Sequence, residues 1–120
     1  MSWYKKIIFS QISPLWTEKW PLYLSKNFEI LLGHNYNRYE PYLIGSPKYN
    51  DVYNGLSVNI GMKDDIYKII FKKKENDLVS IIILNNQVLP SRSFDITREK
   101  PYDIVNEIRG KIINYSKKGI

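Results

Sequence analysis

Leu56-Ser57-Val58-Asn59-Ile60-Gly61-Met62, Ile66-Tyr67-Lys68-Ile69-Ile70-Phe71-Lys72 and Leu78-Val79-Ser80-Ile81-Ile82-Ile83-Leu84 are three strand-length runs whose reading decides the fold. The first alternates apolar with small or polar residues, the period of a half-buried strand. The second is rich in β-branched and aromatic residues. It sets Tyr67, Ile69 and Phe71 on one face against Lys68 and Lys72 on the other. The third is apolar on both faces, which suits a central strand covered on two sides. Lys63-Asp64-Asp65 and Lys73-Lys74-Glu75-Asn76-Asp77 are polar turns between the runs. Asn85-Asn86 tolerates the left-handed backbone of a tight turn. Gln87-Val88-Leu89 and Ser93-Phe94-Asp95-Ile96, on either side of Pro90, are weaker strand candidates. Together they predict an antiparallel β-meander of about 4–6 strands.

Downstream the period changes. Ile104, Val105, Ile108, Ile112 and Tyr115 form one apolar stripe at helical spacing, so a C-terminal helix is expected over about 101–118. Pro101 suits its first position, where the missing N–H has no partner to lose, and Gly119 suits the position after its last turn. Asp103 and Glu107 lie toward the positive end of the helix dipole, and Arg109, Lys111, Lys117 and Lys118 toward the negative end. The stripe needs a surface, and one face of the meander supplies it.

Upstream, residues 1–55 are aromatic and broken by turn formers. Thr17 to Ser25 reads as a short helix with Pro21 near its start. Phe28 to Leu32 and Tyr39 to Ile44 read as strands ending at Gly33 and Gly45, paired across Gly33 to Arg38, and Gly45 to Gly55 reads as a loop. The expectation is a single α+β domain over residues 1–120 with an irregular, aromatic-rich N-terminal half.

Composition bounds the chemistry. With 43% hydrophobic residues a 120-residue chain builds a core without disulfides or a structural metal. The chain has no cysteine, which excludes thiol nucleophiles, zinc knuckles and iron–sulfur sites. A single histidine excludes paired-histidine metal motifs, and no phosphate-cradling glycine loop or nucleophile elbow occurs. No metal and no cofactor is expected. No run approaches the roughly 20 apolar residues of a membrane span, and the apolar run after Lys5-Lys6 is too short for a signal peptide. A cytoplasmic protein is expected.

The formal charge of +6 is compatible with an anionic partner. It is equally a mark of coding bias: alanine is absent, and only four of the 18 basic residues are arginine. Base-reading surfaces lean on the arginine fork. The coding signature and small size suit a virus or mobile element, and equally many low-GC bacteria.

Three groups of residues are candidates for function. His34 with Arg38 and Glu40 would supply a base, an anion clamp and an acid, but a polar loop explains the same residues. The lysine clusters Lys5-Lys6, Lys72-Lys73-Lys74 and Lys117-Lys118 would contact phosphate, or would protect a strand edge from aggregation. The densest group is aromatic: Trp16, Trp20, Tyr36, Tyr39, Tyr42, Tyr49 and Tyr53, with Arg38 among them. Tyrosine and tryptophan are enriched in protein-binding hot spots and also stack on unpaired bases. Aromatic density without a catalytic set points first to a non-enzymatic protein–protein interaction domain. As a mobile-element protein it would act on a host factor or serve as an assembly component. The alternative is a nucleic-acid-binding domain built on the lysines and stacking tyrosines, and the third reading is a small enzyme centred on His34.

Overall fold

In the computed structural model, which describes residues 14–52 and 54–118, the period-two alternation of the central runs holds residue by residue. In β3 (Gly55–Met62) Leu56, Val58, Ile60 and Met62 are buried. In β4 (Asp65–Lys73) the buried set is Tyr67, Ile69 and Phe71, and in β5 (Leu78–Leu84) it is Val79, Ile81 and Ile83. All three strands pair antiparallel, with Val58 opposite Ile69 and Ile69 opposite Ile83, so the buried residues form one face. Four short strands complete a seven-stranded sheet. β1 (Tyr42–Leu43) and β2 (Lys48–Asn50) both pair with β3, at its two ends. β6 (Val88–Leu89) and β7 (Phe94–Asp95) both pair with β5, again at its two ends.

Helices close the inner face. α1 (Pro14–Glu18) and α2 (Trp20–Leu31) precede the sheet, and α3 (Pro101–Lys117) follows it. The expected C-terminal helix is present, with Pro101 in its first turn and Ile104, Val105, Ile108 and Ile112 buried. Tyr115, the last member of the stripe, is half-buried and its hydroxyl donates to the Pro90 carbonyl. Phe28 of α2 meets Phe71 of β4 edge to face, with ring centroids 5.9 Å apart. Trp16 of α1 lies between Tyr23 and Phe94, nearly parallel to both, and its indole N–H donates to the Glu99 carbonyl at 2.9 Å. Each buried large side chain contributes about 1.5–3 kcal/mol of transfer free energy.

The segment before α3 is held by charge. Arg92 donates to both carboxylate oxygens of Glu99 and of Glu107, at 2.6 to 3.1 Å. Its hydrogen bonds hold both glutamates below the usual carboxylate range and raise its own affinity for the proton.

Several expectations are corrected. Phe28 to Leu32 is not a strand: Phe28 to Leu31 is the end of α2, so the hairpin across Gly33 to Arg38 does not exist. Of the expected strand Tyr39 to Ile44 only Tyr42–Leu43 pairs, and the expected loop Gly45 to Gly55 contains β2. From Pro14 to Leu31 the described chain is therefore largely helical. β5 is covered on one side only, since Leu78 and Ile82 face outward and are exposed.

Candidate docking surface

The outward residues of the strands share a face that none of the three helices covers. Cross-strand partners place Tyr42, Gly61 and Ile66 in one row and Ser57, Ile70 and Ile82 in the next but one. Between them run Asn59, Lys68, Leu84 and Val88. Ile66 is 59% exposed, Val88 73% and Ile82 37%. These are exposed aliphatic residues on the face opposite the core, one in each of three neighbouring rows.

The face ends in a tyrosine corner at the β3–β4 turn. Gly61 allows it: a side chain there would overlap the Tyr42 ring, which lies across the bare backbone. Tyr36 meets Tyr42 edge to face at 5.5 Å. The connection from α2 to β1 is shaped by Asn37, whose side-chain oxygen accepts the N–H groups of Tyr39 and Glu40 at 2.7 and 3.1 Å, the local turn that asparagine favours. Glu40 ties the connection to α3 through Arg109 at 3.0 Å. These contacts present Tyr39, 80% exposed, and Tyr36, 60% exposed, beside Arg38. The three, with Lys63 and Asp64, line a hollow of about 540 Å³.

The other candidates are placed elsewhere. Trp16 and Trp20, expected on the docking surface, are 1% and 2% exposed and belong to the core. Their indoles cover the inner face, so no partner reaches them in the folded chain. Tyr49 is exposed on the helix side, where its hydroxyl donates to Asn54 at 2.9 Å. There it lines a separate groove of about 500 Å³ with Pro21, Leu22 and Pro47. Tyr53, Lys5 and Lys6 lie outside the described residues.

The lysine run Lys72-Lys73-Lys74 is split by the strand period. Lys72 is on the open face, while Lys73 turns the other way and pairs with Asp77 at 3.8 Å. Lys117 and Lys118 end α3. The histidine group is also dispersed: His34 pairs with Glu29, and Glu40 with Arg109. Among the described residues no group of three histidine, aspartate or glutamate side chains is placed to hold a metal, and no helix is long and apolar enough to cross a membrane.

Sequence reasoning set Lys48 among the tyrosines and left it out of the lysine clusters, and its side of the sheet follows from its pairing with Ser57. It also missed the continuity of the tyrosine corner with the strands. The signal for that continuity was Gly61, a glycine within a strand pattern, which marks the close approach of another group. Comparison with family models, with curated proteins and with solved structures finds no match to this chain.

Proposed function

We propose that this chain is a protein-interaction domain that docks through the open face of its sheet and the tyrosine corner beside it. One observation carries the reading. The outer face exposes Ile66 in the row that holds Tyr42, with Val88 and Ile82 in the next two rows, and Tyr36 packs on the far side of Tyr42. Antiparallel sheets commonly leave one face to water and set polar residues on it, whereas here that face also carries exposed aliphatic residues. Tyr39 and Tyr36 add rigid aromatic area with a polar tip, the composition of a binding hot spot.

The test is capture of partners from a lysate of the source cell by the immobilised full chain, with Tyr39→Ala and Ile82→Asp as controls. Both positions are exposed, so both variants are expected to keep the wild-type circular dichroism. A specific partner is retained by the wild type and lost by both variants; an unchanged retained set would count against the reading.

A second reading is supported by three exposed lysines on the same face. Lys48, Lys68 and Lys72, together with the tyrosines, would suit a single-stranded nucleic acid lying across the sheet. It requires binding to labelled single strands that weakens steeply with salt. The aliphatic centre of the face, which has no ring on which a base stacks, favours the protein reading.

A further inference from the structure

The open face carries more positive than negative charge. Lys48, Lys68 and Lys72 point outward from the strands, and none of the three makes an ion pair among the described residues. Asp95, opposite Leu78 at the margin, is already engaged: it accepts from the N–H and hydroxyl of Thr97 and pairs with Arg98 at 3.7 Å. Resting on the protein-docking reading, we infer that the partner lays an amphipathic helix on this face, with an apolar stripe against Ile70 and Ile82 and carboxylates along the flanks.

Charge selects this occupant. A second copy of the chain would bring the strand lysines against one another, with Asp95 already paired and Asp64 at the far corner beside Lys63, in a protein of formal charge +6. Like charges brought together and desolvated oppose association. An anionic bilayer would match the charge but not the shape. Interfacial binding needs apolar groups that reach roughly 5–10 Å into the headgroup boundary, and here the exposed Ile66, Ile82 and Val88 stand one to a row, with Ile70 and Leu84 half-buried between them.

A helix meets the lysine spacing. Lys68 and Lys72 lie four residues apart along β4, which is about 13 Å at the strand rise. Carboxylates seven or eight residues apart share one flank of a helix at about 10.5–12 Å, within reach of both flexible ammonium groups. The molecule covers its inner face by the same means, with helices laid on branched side chains.

The experiment uses two synthetic peptides of about 16 residues with one leucine stripe, flanked by glutamates in the first and by lysines in the second. Each is titrated into the isotopically labelled full chain at about 50 mM salt, where exposed charges are weakly screened. The glutamate peptide is expected to shift the Ile70 and Ile82 amide resonances and to bind at least about tenfold more tightly than the lysine peptide. The combined variant Lys48→Glu, Lys68→Glu and Lys72→Glu should reverse that preference. Equal binding of the two peptides, or binding of neither, overturns the inference. So does attachment of the chain to phosphatidylserine vesicles through the same residues, dimerisation in sedimentation equilibrium, or nuclear Overhauser contacts from residues 1–13 to Ile82. If Ile82→Asp abolishes partner capture while the peptides bind alike, the docking reading stands and the acidic helix falls. If capture is indifferent to Ile82→Asp and Tyr39→Ala, the docking reading falls with it.

Discussion

The two faces of the sheet are built from alternate residues of the same three strands, yet they differ in almost every physical respect. Inward, Leu56, Tyr67, Ile69, Phe71 and Ile83 are sealed under helices, and their neighbours include Phe28, Phe94 and Ile108. Outward, Ile66, Ile82 and Val88 meet solvent, with lysines and short polar residues between them. Both faces carry branched aliphatic residues, so hydrophobicity alone does not distinguish core from surface here. The covering layer does. Among the described residues the outer face has no such layer, and the docking proposal rests on that difference.

The comparison breaks most readily by truncation. Phe71→Ala should destabilise the fold by about 3–5 kcal/mol, because a fully buried ring is replaced by a cavity. Ile82→Ala, one strand away on the other face, should cost less than about 1 kcal/mol. Urea unfolding of the pair measures the difference, and similar losses would mean that something covers the outer face in the free protein.

A smaller effect sharpens how the inner layer is fastened. Arg92→Ala should cost about 1 kcal/mol, a modest figure because the guanidinium is 40% exposed and solvent screens it. The same variant changes the response to acid. Glu99 and Glu107 are held below the ordinary carboxylate range by Arg92, so the unfolded chain takes up their protons first. Their contribution is present above the unfolded value and is lost as pH falls through the folded one. Unfolding midpoints across the acid range should fall more steeply for the wild type than for Arg92→Ala.

The smallest effect has the opposite sign. The Tyr67 hydroxyl is buried without a hydrogen-bond partner, and burial raises its pKa. Tyr67→Phe removes an unsatisfied polar group and should stabilise the fold by about 0.5–1 kcal/mol. A loss of stability on thermal unfolding would reveal a partner for that hydroxyl.

The sheet and the last helix were legible in the sequence because local pattern and burial agree there. Period two runs without interruption from Leu56 to Met62 and from Tyr67 to Phe71, and Ile104 to Ile112 keeps the helical period. The strand expected at Phe28 to Leu32 failed for an instructive reason. Taken alone, those five residues are aromatic and branched like a strand, but Phe28 belongs to a longer series with Trp20, Tyr23, Leu24 and Asn27, all buried at helical spacing. The pattern was present; the window was too short to show it. β1 and β2 were illegible because strands of two and three residues carry no period at all, and tertiary pairing with β3 creates them. For the candidate surface, Tyr36, Arg38, Tyr39 and Tyr42 were found by aromatic density. Trp16 and Trp20 share that density but face the core, since composition does not record direction.

Each long edge of the sheet ends in two small fragments rather than one continuous strand. β1 and β2 flank the β3 edge with Pro47 between them, and β6 and β7 flank the β5 edge with Pro90 between them. Neither border offers an unbroken line of backbone donors and acceptors on which a foreign strand could register. Fibrous stacking by main-chain pairing is thereby discouraged in a protein that nevertheless displays aliphatic side chains to water. On the docking proposal, recognition falls to side chains on the flat of the sheet rather than to main-chain pairing at its borders.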